Sequence, residues 1–166
     1  ENHVKIYAAL YQATAKKWVK AGAVSHAICL YGHDEQAKQQ LFRYGFGMRC
    51  MDAIRPMKTI DCVVCGGYEF LELPKEDYAY VYPLHLALNK HYCSSPFFMN
   101  RKPDTLEEFL DFSERNKERY FAAKIGGKLC AYMEVSDQGE TFIASGNLYR
   151  HIMGAYCMPE HRGRGV

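Results

Sequence analysis

This 166-residue chain has almost no net charge: the formal balance is only +2. So small an excess leaves no electrostatic footprint for nucleic acid, and no nucleic-acid partner is expected. No run of 18 apolar residues occurs, so a membrane-spanning helix is not expected either. No secretory leader is visible at the start, and heptads, internal repeats and low-complexity tracts are lacking. The first residue is Glu1 rather than methionine, which leaves open a targeting segment ahead of it. Cysteine is not scarce, but its seven copies are odd in number and scattered over Cys29, Cys50, Cys62, Cys65, Cys93, Cys130 and Cys157. That pattern argues against a disulfide framework and suits a reducing cytoplasm. Metal-ligand spacing is also wanting. Cys62 and Cys65 make one C-x-x-C with no second pair, and His26, His33, His85, His91 and His161 show no ligand spacing, so no metal is expected.

Apolar residues form 48% of the chain, including thirteen tyrosines and nine phenylalanines. The length suffices for one domain with a sizeable core. Tyrosines in such numbers read first as core or interface residues with a polar tip. Val4, Ile6, Tyr7, Leu10, Tyr11, Ala15, Trp18 and Val19 recur at helical spacing and predict an amphipathic helix over 3–20, ending near Gly22. Residues 25–31 read as a buried strand. Asp34 caps a helix over 35–44, closed by Gly45, and residues 46–57 read as a further strand. Gly66 and Gly67 break an extended stretch over 61–64.

Beyond that break, residues 68–73 alternate as a strand, and Pro74 and Asp77 open a helix running to about Tyr92. Thr105 and Glu108 have the form of a capping box ahead of a helix over 105–116. Gly126 and Gly127 join strands 120–125 and 129–135 into a hairpin. Extended segments at 141–144 and 148–158 follow. The last strand empties into Glu160, His161, Arg162, Gly163, Arg164, Gly165 and Val166. Glycines let a backbone approach closely and aim its N–H groups at one spot, and arginines add positive charge, so the turn predicts a phosphate cradle.

A strand ending in Met158-Pro159-Glu160-His161-Arg162-Gly163-Arg164-Gly165 resembles the signature of the GNAT acetyltransferase superfamily, Arg/Gln-x-x-Gly-x-Gly/Ala at the start of a helix. Arg162, Gly165 and Val166 stand at its first, fourth and fifth places. The elements over 68–158 run in the order of that family's first half. Residues 3–57 read helix, strand, helix, strand, the order of its second half, and Asp34-x-x-Ala37 followed by Gly45-Phe46 resembles the family's Asn-x-x-Ala and Gly-Phe pattern. The resemblance therefore implies an α/β fold, a GNAT-like mixed sheet flanked by helices, with second-half elements preceding first-half elements. Residues 1–66 would be the C-terminal half of a first domain and 67–166 the N-terminal half of a second, ending in the acetyl-CoA loop. A circular permutant, with helix 3–20 packed where the helix after Gly165 belongs, is the other arrangement.

The same resemblance implies acetyl-CoA as co-substrate, held by Cys157, Met158, Arg162, Gly163, Arg164, Gly165 and Val166. Near Cys157 the family's main chain bulges and frees an N–H that polarises the thioester carbonyl. Counting back from Cys157 to the family's general base gives His151. The family's acid, a tyrosine, falls at Leu41, with Tyr44 one turn further along, so a non-catalytic CoA-binding or protein-interaction module is the alternative reading. The acceptor would be a small-molecule or peptide amine entering near residues 92–103. A second copy of the chain, or segments outside these residues, would cover open sheet edges.

Overall fold

Among the described residues, each strand of the sheet pairs with the strand next to it in sequence, and one of those pairs is a tight hairpin. The computed structural model describes residues 2–61, 66–94, 102–137 and 148–166. The chain divides into two units, Glu1–Lys58 and Thr59–Val166.

Thr59–Val166 carries four strands, β1 (Glu69–Glu72), β2 (Arg119–Ile125), β3 (Lys128–Ser136) and β4 (His151–Cys157), in the order β1-β2-β3-β4, antiparallel throughout. Between β2 and β3 the two-residue turn has φ 55° at Gly126 and 77° at Gly127. Positive φ at both central positions is the type I′ turn whose twist matches paired strands, and it demands glycine-like freedom. One helix is expected over 75–92, but two are found: a 3₁₀ turn over Lys75–Tyr80 and helix α3 (Tyr82–Cys93). Pro83 is the reason. Its ring cannot follow a continuous α-helix, whereas it suits the first turn of a new one. Helix α4 (Leu106–Arg115) starts on the expected capping box, with Thr105 accepting from the Glu108 N–H and Glu108 accepting from the Thr105 N–H at 2.7 Å.

One sheet face packs Tyr120, Ala122 and Tyr132 against Leu73, Tyr78, Val81, Leu84, Leu88 and Phe109. That core also holds polar groups. Tyr120 Oη meets Ser113 Oγ at 2.7 Å and donates to Glu118 Oε2 at 3.0 Å, while Tyr78 Oη donates to the Glu118 carbonyl at 2.9 Å. On the opposite face Ala123, Cys130 and Ala131 are covered by Tyr68, Cys157, Met158 and Val166.

Glu1–Lys58 contains α1 (Asn2–Lys20) and α2 (Glu35–Arg43) as its elements among the described residues. Asp34 caps α2 by accepting from the Ala37 N–H at 3.0 Å, and Gly45 closes it at φ 86°. Tyr11, Tyr44, Phe46, Trp18 and His26 form an aromatic cluster. Segments 25–31 and 46–57, expected as strands, are irregular here. A strand needs a neighbour to satisfy its backbone groups, and neither segment has one within this unit. The segment 141–144 and the C-x-x-C of Cys62 and Cys65 lie outside the described residues. Among the described residues, no helix is long and apolar enough to cross a membrane.

Candidate functional site at the free edge of the sheet

Strand β4 is the last of the sheet, so one of its edges has no neighbouring strand among the described residues. Register decides which groups face that edge. Met158 donates its N–H to the Cys130 carbonyl at 2.9 Å, and Ala131 is opposite Cys157. In an antiparallel ladder, hydrogen-bonded and non-hydrogen-bonded pairs alternate. Tyr156 opposite Tyr132 and Gly154 opposite Glu134 are then hydrogen-bonded pairs, while Ala155 and Cys157 turn their N–H and C=O groups to the free edge. Arg162 reports the same orientation: its Nε donates to the Cys157 carbonyl at 2.8 Å, and its guanidinium lies 5.3 Å from the centre of the Tyr156 ring.

The ladder slips between Glu134 and Val135, which leaves Met153 as the extra residue of β4. The bulge thus lies several positions before Cys157, where the resemblance implies it. The Cys157 amide faces outward through alternation alone. Met158 differs, because its amide is engaged by Cys130. Its side chain instead joins the core and lines a cavity of about 460 Å³ together with Lys124, Lys128 and Leu129.

After β4 the chain makes a 3₁₀ turn over Pro159–His161, with His161 N–H donating to the Met158 carbonyl at 2.9 Å. Tyr68 Oη meets His161 Nδ1 at 2.9 Å and ties that turn to the residue leading into β1. Gly163 and Gly165 follow at φ 70° and 80°. Such values are open to glycine and strained for other residues. Among the described residues, the N–H groups of Gly163, Arg164, Gly165 and Val166 donate to no protein acceptor. Exposed donors, two arginines and an adjoining free strand edge suit an extended ligand with a phosphorylated end.

His151 opens β4 opposite Ser136. From His151 to Cys157 a strand rises about 20 Å at roughly 3.3 Å per residue, so the two lie at opposite ends of the edge. Leu41, only 6% exposed, is a core residue of α2, and the Tyr44 hydroxyl accepts from Gln12 Nε2. Cys157 is half-buried, and burial pushes its thiol above the usual range, with the positive charge of Arg162 opposing the shift. A thiol held protonated is a poor nucleophile, which leaves the main chain as the useful part of Cys157. Among the described residues, no group of three His, Cys, Asp or Glu side chains could hold a metal ion.

A second concavity, of about 730 Å³, lies between α3 and the start of α4, lined by Tyr82, Leu86, Asn89, Cys93, Asp104 and Leu106 among others. His85 Nε2 stands 3.3 Å from Asp104 Oδ2, and Tyr82 Oη donates to the Asp104 carbonyl at 2.8 Å. Sequence reasoning passes over Ala155, although its outward amide follows by two-residue alternation from Cys157.

The described part of Thr59–Val166 is thus an α/β unit whose antiparallel sheet has a free last edge that empties into a basic glycine turn. Residues 85–166, just under half of the chain, match the family model described as the Acetyltransferase (GNAT) family. No curated protein matches the chain. Among solved structures, a ribosomal-protein-alanine N-acetyltransferase from Brucella melitensis biovar Abortus is similar at 17% identity, covering 59% of this chain and 62% of that one, with a TM-score of 0.43. An N-acetyltransferase from Staphylococcus aureus has 17% identity, coverage of 60% and 58%, and a TM-score of 0.41. An aminoglycoside N-acetyltransferase in complex with CoA has 14% identity, coverage of 60% on both sides, and a TM-score of 0.43. The chain thus spans about three fifths of the length of these structures.

Proposed function

We propose that this protein is an acyl-CoA-dependent N-acetyltransferase that moves acetyl from acetyl-CoA directly to an amine. The observation that carries the reading is the outward-facing Cys157 amide on a free edge that runs into unengaged amides over 163–166. In this reading the Cys157 N–H polarises the thioester carbonyl, in the manner of a single oxyanion-hole donor. Met158 walls the thioester with its side chain. The amides of Gly163, Arg164, Gly165 and Val166 receive the pyrophosphate, and Arg162 and Arg164 offset its charge. His151 is the base that the family resemblance nominates. The acceptor is the amine of a small molecule or peptide, and the working compartment is the cytoplasm.

We further propose that residues 1–66 close one such domain and residues 67–166 open another. In that arrangement, segments outside these residues or a second copy of the chain complete the sheet edges.

A second reading is a non-catalytic CoA-binding or protein-interaction module. One observation favours it for the first unit: Leu41, buried in α2, occupies the position of the family's acid.

Thermal melting with CoA and acetyl-CoA tests the site, because a ligand that prefers the native state raises the melting temperature. Thiol release on adding amines then separates transfer from binding. An intact gene product that neither CoA nor acetyl-CoA stabilises would overturn the proposal.

A further inference from the structure

Gly154 has no conformational need to be glycine, since it is absent from the positive-φ positions of the chain. Its need is spatial. A Cβ at Gly154 would stand 3.2 Å from Glu134 Oε2, 3.6 Å from Leu88 Cδ2 and 3.8 Å from Tyr132 Oη. Glu134 lies on β3, opposite Gly154, and the missing side chain leaves room for its carboxylate over the main chain of β4. The neighbouring residue, Ala155, turns its amide to that same edge.

Tyr132 converges on the same point. It is 3% exposed, and its hydroxyl has no hydrogen-bond partner among the described residues. An orphaned buried hydroxyl is costly unless something else fills it. The charged and titratable groups around the pair include Tyr120 of β2, Glu118 just before it and Tyr92 of α3. Burial first, then the negative charge of Glu134, push the Tyr132 phenol far above its ordinary value, so it stays neutral.

We propose that Glu134 is the general base for amine acetylation, with Tyr132 as a second contact to the same nitrogen and Gly154 as the gap that admits them to the edge of β4. This assignment rests on the acetyltransferase reading and replaces His151 within it. A primary ammonium offers one N–H to the carboxylate and one to the Tyr132 oxygen. Glu134 takes a proton, and the freed lone pair forms the C–N bond at the thioester carbonyl carbon. The C–S bond breaks, its electron pair goes to sulfur, and sulfur takes a second proton from nitrogen. The products are the N-acetyl amine, the CoA thiol and one proton left on Glu134 for solvent.

Glu134→Gln is the direct test, made in the intact gene product with acetyl-CoA and the best acceptor among a polyamine, an aminoglycoside and a tripeptide with a free N-terminus. Methoxyamine, neutral near neutral pH, serves as the acceptor that needs no base. We expect on the order of 100-fold loss in kcat/KM with the ammonium acceptor, little loss with methoxyamine, and unchanged acetyl-CoA affinity. Should Glu134→Gln destabilise the fold, Glu134→Asp and Gly154→Ala keep the question open to measurement. Both should lower the ammonium rate at least about tenfold and spare methoxyamine. Equal losses with both acceptors, or loss with His151→Ala alone, would overturn the base assignment while leaving the transferase reading standing. Failure of the unaltered protein to bind acetyl-CoA, or to release thiol with any amine, would remove that reading and this one together.

Discussion

The two units differ most in how their apolar residues are used. Among the described residues, twelve of the fourteen buried core residues belong to Thr59–Val166 and gather around one sheet, while Glu1–Lys58 supplies Ala37 and Leu41. The first unit has no lack of apolar side chains. Leu10, Val19, Met48, Met51, Ile54 and Met57 are each more than half exposed. Its helices form because their signals are local, an N-cap and an amphipathic spacing. Its strand-like segments stay irregular because strand pairing is a contract with a second segment. Apolar periodicity alone therefore does not make a core.

The comparison can be broken by mutation. Leu84→Ala, in the packed core under the sheet, should cost about 2–5 kcal/mol in denaturant unfolding, the largest effect we expect. Leu10→Ala on α1 should stay within about 0.5 kcal/mol. A comparable loss at Leu10 would mean that its face is covered in solution. Amide exchange sharpens the same contrast: β2 and β3 should hold the slowest amides, and segments 25–31 and 46–57 should exchange fastest.

Smaller effects test the local signals. Gly126→Ala forces a side chain into the left-handed region and should cost about 1 kcal/mol, read from the unfolding midpoint. Thr105→Ala removes half the capping box and should cost about 1 kcal/mol. The smallest effect concerns pH. The Arg119 guanidinium, at 2.6 Å, holds the exposed Glu72 carboxyl below its usual range. A lowered folded-state value stabilises above the ordinary carboxylate range and loses that contribution as pH falls through the lowered value. Comparing acid titrations of the unaltered protein and Glu72→Gln at low and high salt should show a slight difference that salt erases.

Much of this was readable in the residues. Asp34, Thr105 with Glu108, and Gly126 with Gly127 act within a few positions of themselves, and each does what its local pattern predicts. Arg162, Gly163 and Gly165 likewise form a turn where their spacing places one. The break between the 3₁₀ turn and α3 was missed although Pro83 marks it. The roles of Ala155, Glu134 and Gly154 were not readable at all. Outward amides depend on register, and the carboxylate over Gly154 depends on which residue a neighbouring strand sets opposite it. Neither quantity is written in one segment alone.

The meander of β1 to β4 carries a kinetic consequence. β2 and β3 are joined by a two-residue turn, whereas β1 and β2 are separated in sequence by the 3₁₀ turn, α3 and α4, so the hairpin can form first and β1 adds to it later. A local hairpin closes within microseconds, and on the ribosome the hairpin of β2 and β3 can close before the glycine turn after β4 has been synthesised.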